Sequence, residues 1–326
     1  MRPNHPFFAL TSLAAVEAIR QPIVLLLFAT CIALTAITPM VLLHAFGEYG
    51  KMARESGLAL HFLFGLLAAV LAAGSSLARE VHAGTAAAVL SKPVGRTTFF
   101  LAKFAGIALV IVAFSLGAIL ATLLSERVAE RLTDTPGGSQ FMIDWRTGWW
   151  LLATPFLGLA MAGVLNYTRR IPFGSSAFLL VFAALLLVFV TTGFYDRTGL
   201  RGVFDFRVDW RVLPAGILVT AALVTVAAMA ASFSTRLGTA PTLTLCGLLF
   251  ILGLLWEYLL GPAPASPWRA WLYSAVPNWQ HFWVSDALTG GGIIPWAYVG
   301  HVVLYAATYT GAVLCLGALS FKHTDV

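Results

Sequence analysis

Eight runs of about twenty apolar residues leave this chain few folds to choose from. They fall at about 22–46, 57–78, 98–124, 148–166, 172–194, 213–234, 240–260 and 295–319. In hydrocarbon every backbone N–H and C=O must find a partner inside the protein, so only helices and closed barrels cross a bilayer. A barrel would alternate in segments of about ten residues; these runs are longer and apolar on all sides. Only 10% of the 326 residues are charged, against roughly 25% in a soluble domain. The expected fold is all-α: a polytopic helical membrane protein with about eight transmembrane helices, built as one transmembrane domain over residues 1–326. The N-terminus does not read as a cleavable signal peptide, because its apolar run begins only near Ile23 and is too long.

An even number of spans puts both termini on one side. Lys and Arg divide evenly between the two sides, so the positive-inside count is a tie. Acidic residues break it. The termini side carries only Glu17, Glu80 and Asp325, and its loops are shorter, so its basic residues are denser. That side is the expected cytoplasmic one. All 10 tryptophans fall opposite, at span ends or in loops, where an amphipathic ring favours headgroup depth. The net charge of +6 reads as a topology signal. The basic residues form no stripe with interleaved aromatics, and nucleic acid is not an expected partner. Cys31, Cys246 and Cys315 lie in apolar runs without ligand spacing and read as small core hydrophobes.

Three segments are neither span nor plain loop. Residues 6–21 read as an interfacial helix, with Phe7, Leu10, Leu13, Ala14 and Glu17 at helical spacing, Thr11 and Ser12 turned away, and Pro22 marking a corner. Residues 79–97 form a polar island. Gly84 permits a sharp exit from span two, and Thr85 is placed to cap a short helix to Leu90. Pro93 pushes Lys92 out of helical conformation, Thr97 or Thr98 can cap span three, and Lys103 can snorkel to the interface. Residues 261–294 are too long for a plain connector. Trp268, Trp271 and Leu272, then Trp279, Phe282 and Trp283, suggest two short helices dipping into the far interface as a re-entrant or interfacial hairpin.

Glu80, Gly84, Thr85, Leu90-Ser91-Lys92-Pro93-Val94, Arg96 and Lys103 resemble the signature between spans two and three of type-2 ATP-binding-cassette (ABC) exporter permeases, and Arg79 joins them as an expected ATPase-coupling residue. The nearest likeness is to the permease of the nitrous-oxide-reductase copper-site maturation transporter. Glu17, Arg20 and Pro22 fit that family's N-terminal interfacial helix. The likeness covers about residues 6–125 and is architectural beyond; the family core has six spans where eight are read here. It implies a bacterial cytoplasmic membrane, a second permease copy or paralogue, and cytoplasmic ABC ATPase subunits that bind ATP and Mg. The island would be the coupling helix docked on the ATPase, and an extracytoplasmic partner would receive force in a variant of the scheme.

The chain has no G-x-x-x-x-G-K-[ST] to cradle phosphates. It is therefore not expected to be an enzyme, nor to carry a cofactor; a motor would be another chain. The histidines lack metal-ligand spacing, so no metal site is expected. Glu257 and His301 lie in spans, where an ionisable group is functional by default, although Glu257 is near enough to an end to reach headgroups. Arg169 and Arg170 read either as a second ATPase contact or as a topology marker. Two other classes stand beside the permease: an integral-membrane lipid-modifying enzyme, and a non-catalytic membrane scaffold.

Overall fold

The structure is a computed structural model that describes residues 6–41, 48–78, 95–135, 138–260, 268 and 276–322. Helix α1 (Pro6–Ile19) leads into α2 (Pro22–Val41), with Pro22 at the first helical position, where its missing N–H costs nothing. Then follow α3 (Tyr49–Ala73), continued by a π-turn over Gly74–Ala78, α4 (Arg96–Val128), α5 (Trp145–Arg169), α6 (Phe173–Thr192), α7 (Val212–Phe233), α8 (Thr239–Leu260) and α9 (Trp296–Lys322). The 8 helices α2–α9 are each long and apolar enough to span a membrane, one for each apolar run. The protein is an all-α, multi-pass membrane protein.

Helix α4 is the axis of the bundle, packing against α1, α2, α3 and α7. Phe28 of α2 stacks on Phe178 of α6, with ring centroids 4.5 Å apart, and lies 5.4 Å from Phe114 of α4, so three helices share one aromatic cluster. Side-chain hydrogen bonds join α7 to α9: Thr225 Oγ1 to Thr310 Oγ1 at 3.2 Å, and Ser232 Oγ to the Val313 carbonyl at 3.1 Å. Such bonds add directional hold where lipid supplies no hydrophobic drive between helices. The apolar window of α7 is 72% buried within the protein, that of α8 only 22% and that of α9 only 17%. The last two present most of their surface to lipid. Cys31 and Cys246 are buried as expected, but Cys315 on α9 is exposed.

Two polar layers bracket the apolar slab. Along α4 the rise from Lys103 to Glu126 is about 35 Å at about 1.5 Å per residue, close to the roughly 30 Å of a hydrocarbon core. Arg96 Nη1 donates to the Lys322 carbonyl at 3.0 Å, which puts the start of α4 and the end of α9 at one end, the end that also holds α1.

The opposite end is capped by an arginine-rich layer. Strands β1 (Arg131–Thr135) and β2 (Gly138–Met142) pair antiparallel, with Leu132 opposite Phe141. Arg127 is fully buried. Its Nε pairs with Asp144 Oδ2 at 3.2 Å, Nη1 donates to the Phe206 carbonyl at 2.7 Å, and Nη2 to the Tyr195 carbonyl at 2.6 Å. Arg197 donates to the Arg127 carbonyl at 2.7 Å and the Ala129 carbonyl at 2.9 Å. Burial pushes the Arg197 guanidinium down to about 10, which leaves it charged at neutral pH. Arg131 pairs with Glu126. Asp209 Oδ2 accepts from Arg54 Nη1 and Arg211 Nη2, both at 2.8 Å. Asp144 also caps α5, accepting from the Thr147 N–H at 3.0 Å and the Thr147 hydroxyl at 2.7 Å.

Beyond α8 the chain dips back into the bundle. The described residues 276–291 form 3₁₀ turns at Trp279–His281 and Ser285–Gly291 where the second short helix was expected; the first, around Trp271 and Leu272, lies outside the described residues. Trp279 does not lie at the interface where the sequence reading expects it. It is buried, and its Nε1 donates to the Leu249 carbonyl at 3.3 Å, about 16 Å below the end of α8 at about 1.5 Å per residue. Irregular backbone at that depth survives only when buried in protein with its polar groups paired. Here the Asn278 N–H donates to the Tyr305 hydroxyl at 3.2 Å, Asn278 Oδ1 accepts from the Gln280 N–H at 3.0 Å, and the His281 carbonyl accepts from the Tyr298 hydroxyl at 3.0 Å. Gly253 makes the approach possible: a Cβ there would stand 2.4 Å from the Pro277 carbonyl oxygen.

Candidate coupling site at the termini end

Helix α1 lies across the two helix ends that flank residues 79–95. The Lys103 ammonium of α4 is 3% exposed and donates to Glu17 Oε2 of α1 at 2.7 Å. Ser76, in the π-turn after α3, lies 3.5 Å from the same carboxylate oxygen. Ser75 Oγ donates to Gln21 Oε1 at 2.7 Å. One carboxylate and one amide thus fasten α1 and its corner both to the end of α3 and to the start of α4. A cleft of about 700 Å³ opens beside them, lined by Leu13, Val16, Glu17, Arg20, Gln21 and Ser75.

Three sequence expectations change here. Lys103 does not snorkel outward; α1 covers it, and an ammonium so covered needs a carboxylate within reach. The buried face of α1 is the small one, Thr11, Ala14 and Ala18, while Phe8 and Leu13 are exposed. The reason is the closeness of the contact: a Cβ on Gly106 of α4 would stand 2.5 Å from Ala14 Cβ and 2.7 Å from the Thr11 carbonyl oxygen. Larger apolar side chains cannot enter that seam, so they turn to lipid. Neither Thr97 nor Thr98 caps α4; its N-cap is Gly95, with no side-chain cap.

Of the predicted coupling residues, Arg79, Glu80, Gly84, Thr85, Leu90, Lys92 and Pro93 lie outside the described residues. Arg96 opens α4 and holds the Lys322 carbonyl. Arg169 and Arg170 close α5 at the same end of the bundle: Gly174, just beyond them, packs on the backbone of Arg20. Arg170 is left-handed, with φ 57, and its N–H donates to the Asn166 carbonyl at 3.1 Å. Glu257 is half-buried near the far end of α8 and His301 is exposed on α9. The structure does not bring either into a polar cluster among the described residues.

Two polar groups were passed over in sequence. The Glu17–Lys103 pair was legible in principle: Lys103 sits inside an apolar run, and Glu17 is one of only three acids on that side. His61, fully buried in α3 with its ring 6.5 Å from Phe114, has neither ring nitrogen hydrogen-bonded among the described residues. The rule that singled out His301 applied to it with more force. No group of three or more His, Cys, Asp or Glu able to hold a metal occurs among the described residues.

No family model and no curated protein matches the chain. The functional reading therefore rests on the site and on the residues of the island.

Proposed function

We propose that the chain is the permease subunit of an ABC exporter-like complex. Separate cytoplasmic ATPase chains bind ATP and Mg, dock on residues 79–97, and drive export or force transmission across a bacterial cytoplasmic membrane. The termini face the cytoplasm, and a second permease copy or paralogue completes the membrane part. The observation that carries this reading is the fastening of α1 to both ends of the docking segment through Glu17–Lys103 and Gln21–Ser75. A push on residues 79–95 reaches α3 and α4 directly and α1 through a buried ion pair. Because α4 runs the full depth of the bundle, its displacement at this end is delivered to the arginine layer at the other. Arg169 and Arg170 supply a second basic contact beside α1.

The test is co-purification of the chain with candidate ATPases, with Glu80→Ala and Gly84→Pro as variants. The proposal expects loss of ATPase association and of coupled ATP turnover while the permease itself stays folded. Unchanged association and turnover in both variants would sink it.

A further inference from the structure

We infer that a cleft between α3, α7, α8 and the re-entrant turn holds one acyl chain of a membrane lipid from the leaflet opposite the termini. The cleft has a volume of about 290 Å³ and is lined by Ala59, Phe62, Val219, Phe250, Leu254, Trp279, Phe282 and Trp283. Every lining side chain is apolar or aromatic, and the indole N–H of Trp279 is already spent on the Leu249 carbonyl. The indole N–H of Trp283, at the exposed edge, is the one other polar group on the lining side chains.

Depth identifies the occupant. Arg54, in the ion-pair layer, and Ala59 are successive landmarks on α3, and Ala59 lies about 7.5 Å further into the slab at about 1.5 Å per residue. The mouth is formed by Ala59, Leu254 and Trp283, all exposed, on the side where α8 presents most of its surface to lipid. The floor is closed by Trp279, Phe282 and Val219, which are buried. Water gains nothing in such a site, which has no polar partners for it. Packing in interiors is close, and an unfilled apolar space of this size forfeits dispersion contacts on every wall. Among the described residues nothing covers the mouth, and the hydrocarbon that meets it is the lipid. Polyaromatic walls contributed by five rings suit a flexible chain lying across their faces.

This inference does not depend on the transporter reading. The experiment uses the full chain in nanodiscs containing a phospholipid with a diazirine on one acyl chain. After photolysis, mass spectrometry maps the adducts. Adducts at Phe62, Phe250, Leu254 or Trp283 are expected to survive transfer of the protein from the nanodisc into detergent before photolysis, whereas those at the lipid-facing Leu186 and Leu187 of α6 are lost. Ala59→Phe, which fills the mouth, is expected to lower cleft adducts roughly tenfold and leave the α6 adducts unchanged. Cleft adducts that are lost together with the α6 ones, or that Ala59→Phe does not reduce, overturn the inference. The detergent-transfer arm uses the native chain, so it decides the matter even if the variant fails to fold.

Discussion

At the scale of single residues, the fold places its charges where a partner is unavoidable. Lys103 is covered, and Glu17 is its partner. Removing one member of a buried pair costs more than the pair itself contributes, because the survivor stays buried without that counter-charge. Glu17 is about one-third exposed and Lys103 hardly at all, so the two deletions are unequal. Glu17→Ala is expected to cost about 3 kcal/mol and Lys103→Met about 1 kcal/mol or less, read as thermal unfolding in detergent. Equal losses would show that the ammonium is not the buried partner. Asp209 gives a pH test at the other end. Burial pushes its carboxyl up, but the hydrogen bonds and charge of Arg211 and the charge of Arg54 outweigh burial and hold it below the usual carboxylate value. A lowered folded value contributes stability that is complete above the unfolded value of about 3.9 and is lost as pH falls through the folded one. Asp209→Asn is therefore expected to be less stable than the parent at pH 7, and the gap to close only below about pH 4. A gap that closes near neutrality would contradict the assignment.

At the scale of elements, what could be read in the sequence follows from what lipid enforces. Runs of apolar residues long enough to span admit one backbone solution, so α2–α9 were legible from composition alone. A turn over Ser234–Gly238 separates α7 from α8, between the runs at 213–234 and 240–260. The re-entrant turn was legible as an unusual segment, but not its depth: Trp279 has the chemistry of an interfacial residue, and only Gly253 on another helix makes room for it. The arginine layer was not legible. Arg127 satisfies three backbone or carboxylate groups from segments separated by many residues, and nothing local announces which. The same remoteness predicts its effect. Arg127→Met is expected to cost about 3–5 kcal/mol by freeing the Asp144 carboxylate and two loop carbonyls together, and to expose the β1–β2 hairpin to limited proteolysis. A variant as protease-resistant as the parent would refute that role. The coupling site was half legible: the island declared itself by its punctuation, whereas the Glu17–Lys103 link needed the packing of α1 on Gly106.

At the scale of the whole molecule, two polar layers about one bilayer apart define how the protein sits, and the termini share a layer. The proposed orientation can be read by labelling. In a background with Cys31, Cys246 and Cys315 replaced, Thr198→Cys is expected to react with an impermeant thiol reagent added to intact cells, and Arg236→Cys only after the membrane is opened. The reverse pattern would invert the topology and remove the docking segment from reach of cytoplasmic ATPases.

Helix α8 touches the bundle lightly, and much of what seats it comes from the turn that follows it, through Trp279 on Leu249 and Gln280 on the Leu254 carbonyl. During synthesis α8 leaves the ribosome before that turn exists. It must therefore wait in the bilayer as a loosely held helix until the turn and α9 have been made, because the turn is pinned in turn by Tyr298 and Tyr305. Closure of the bundle is a C-terminal event, and a chain stopped after α8 would be inserted but unfinished.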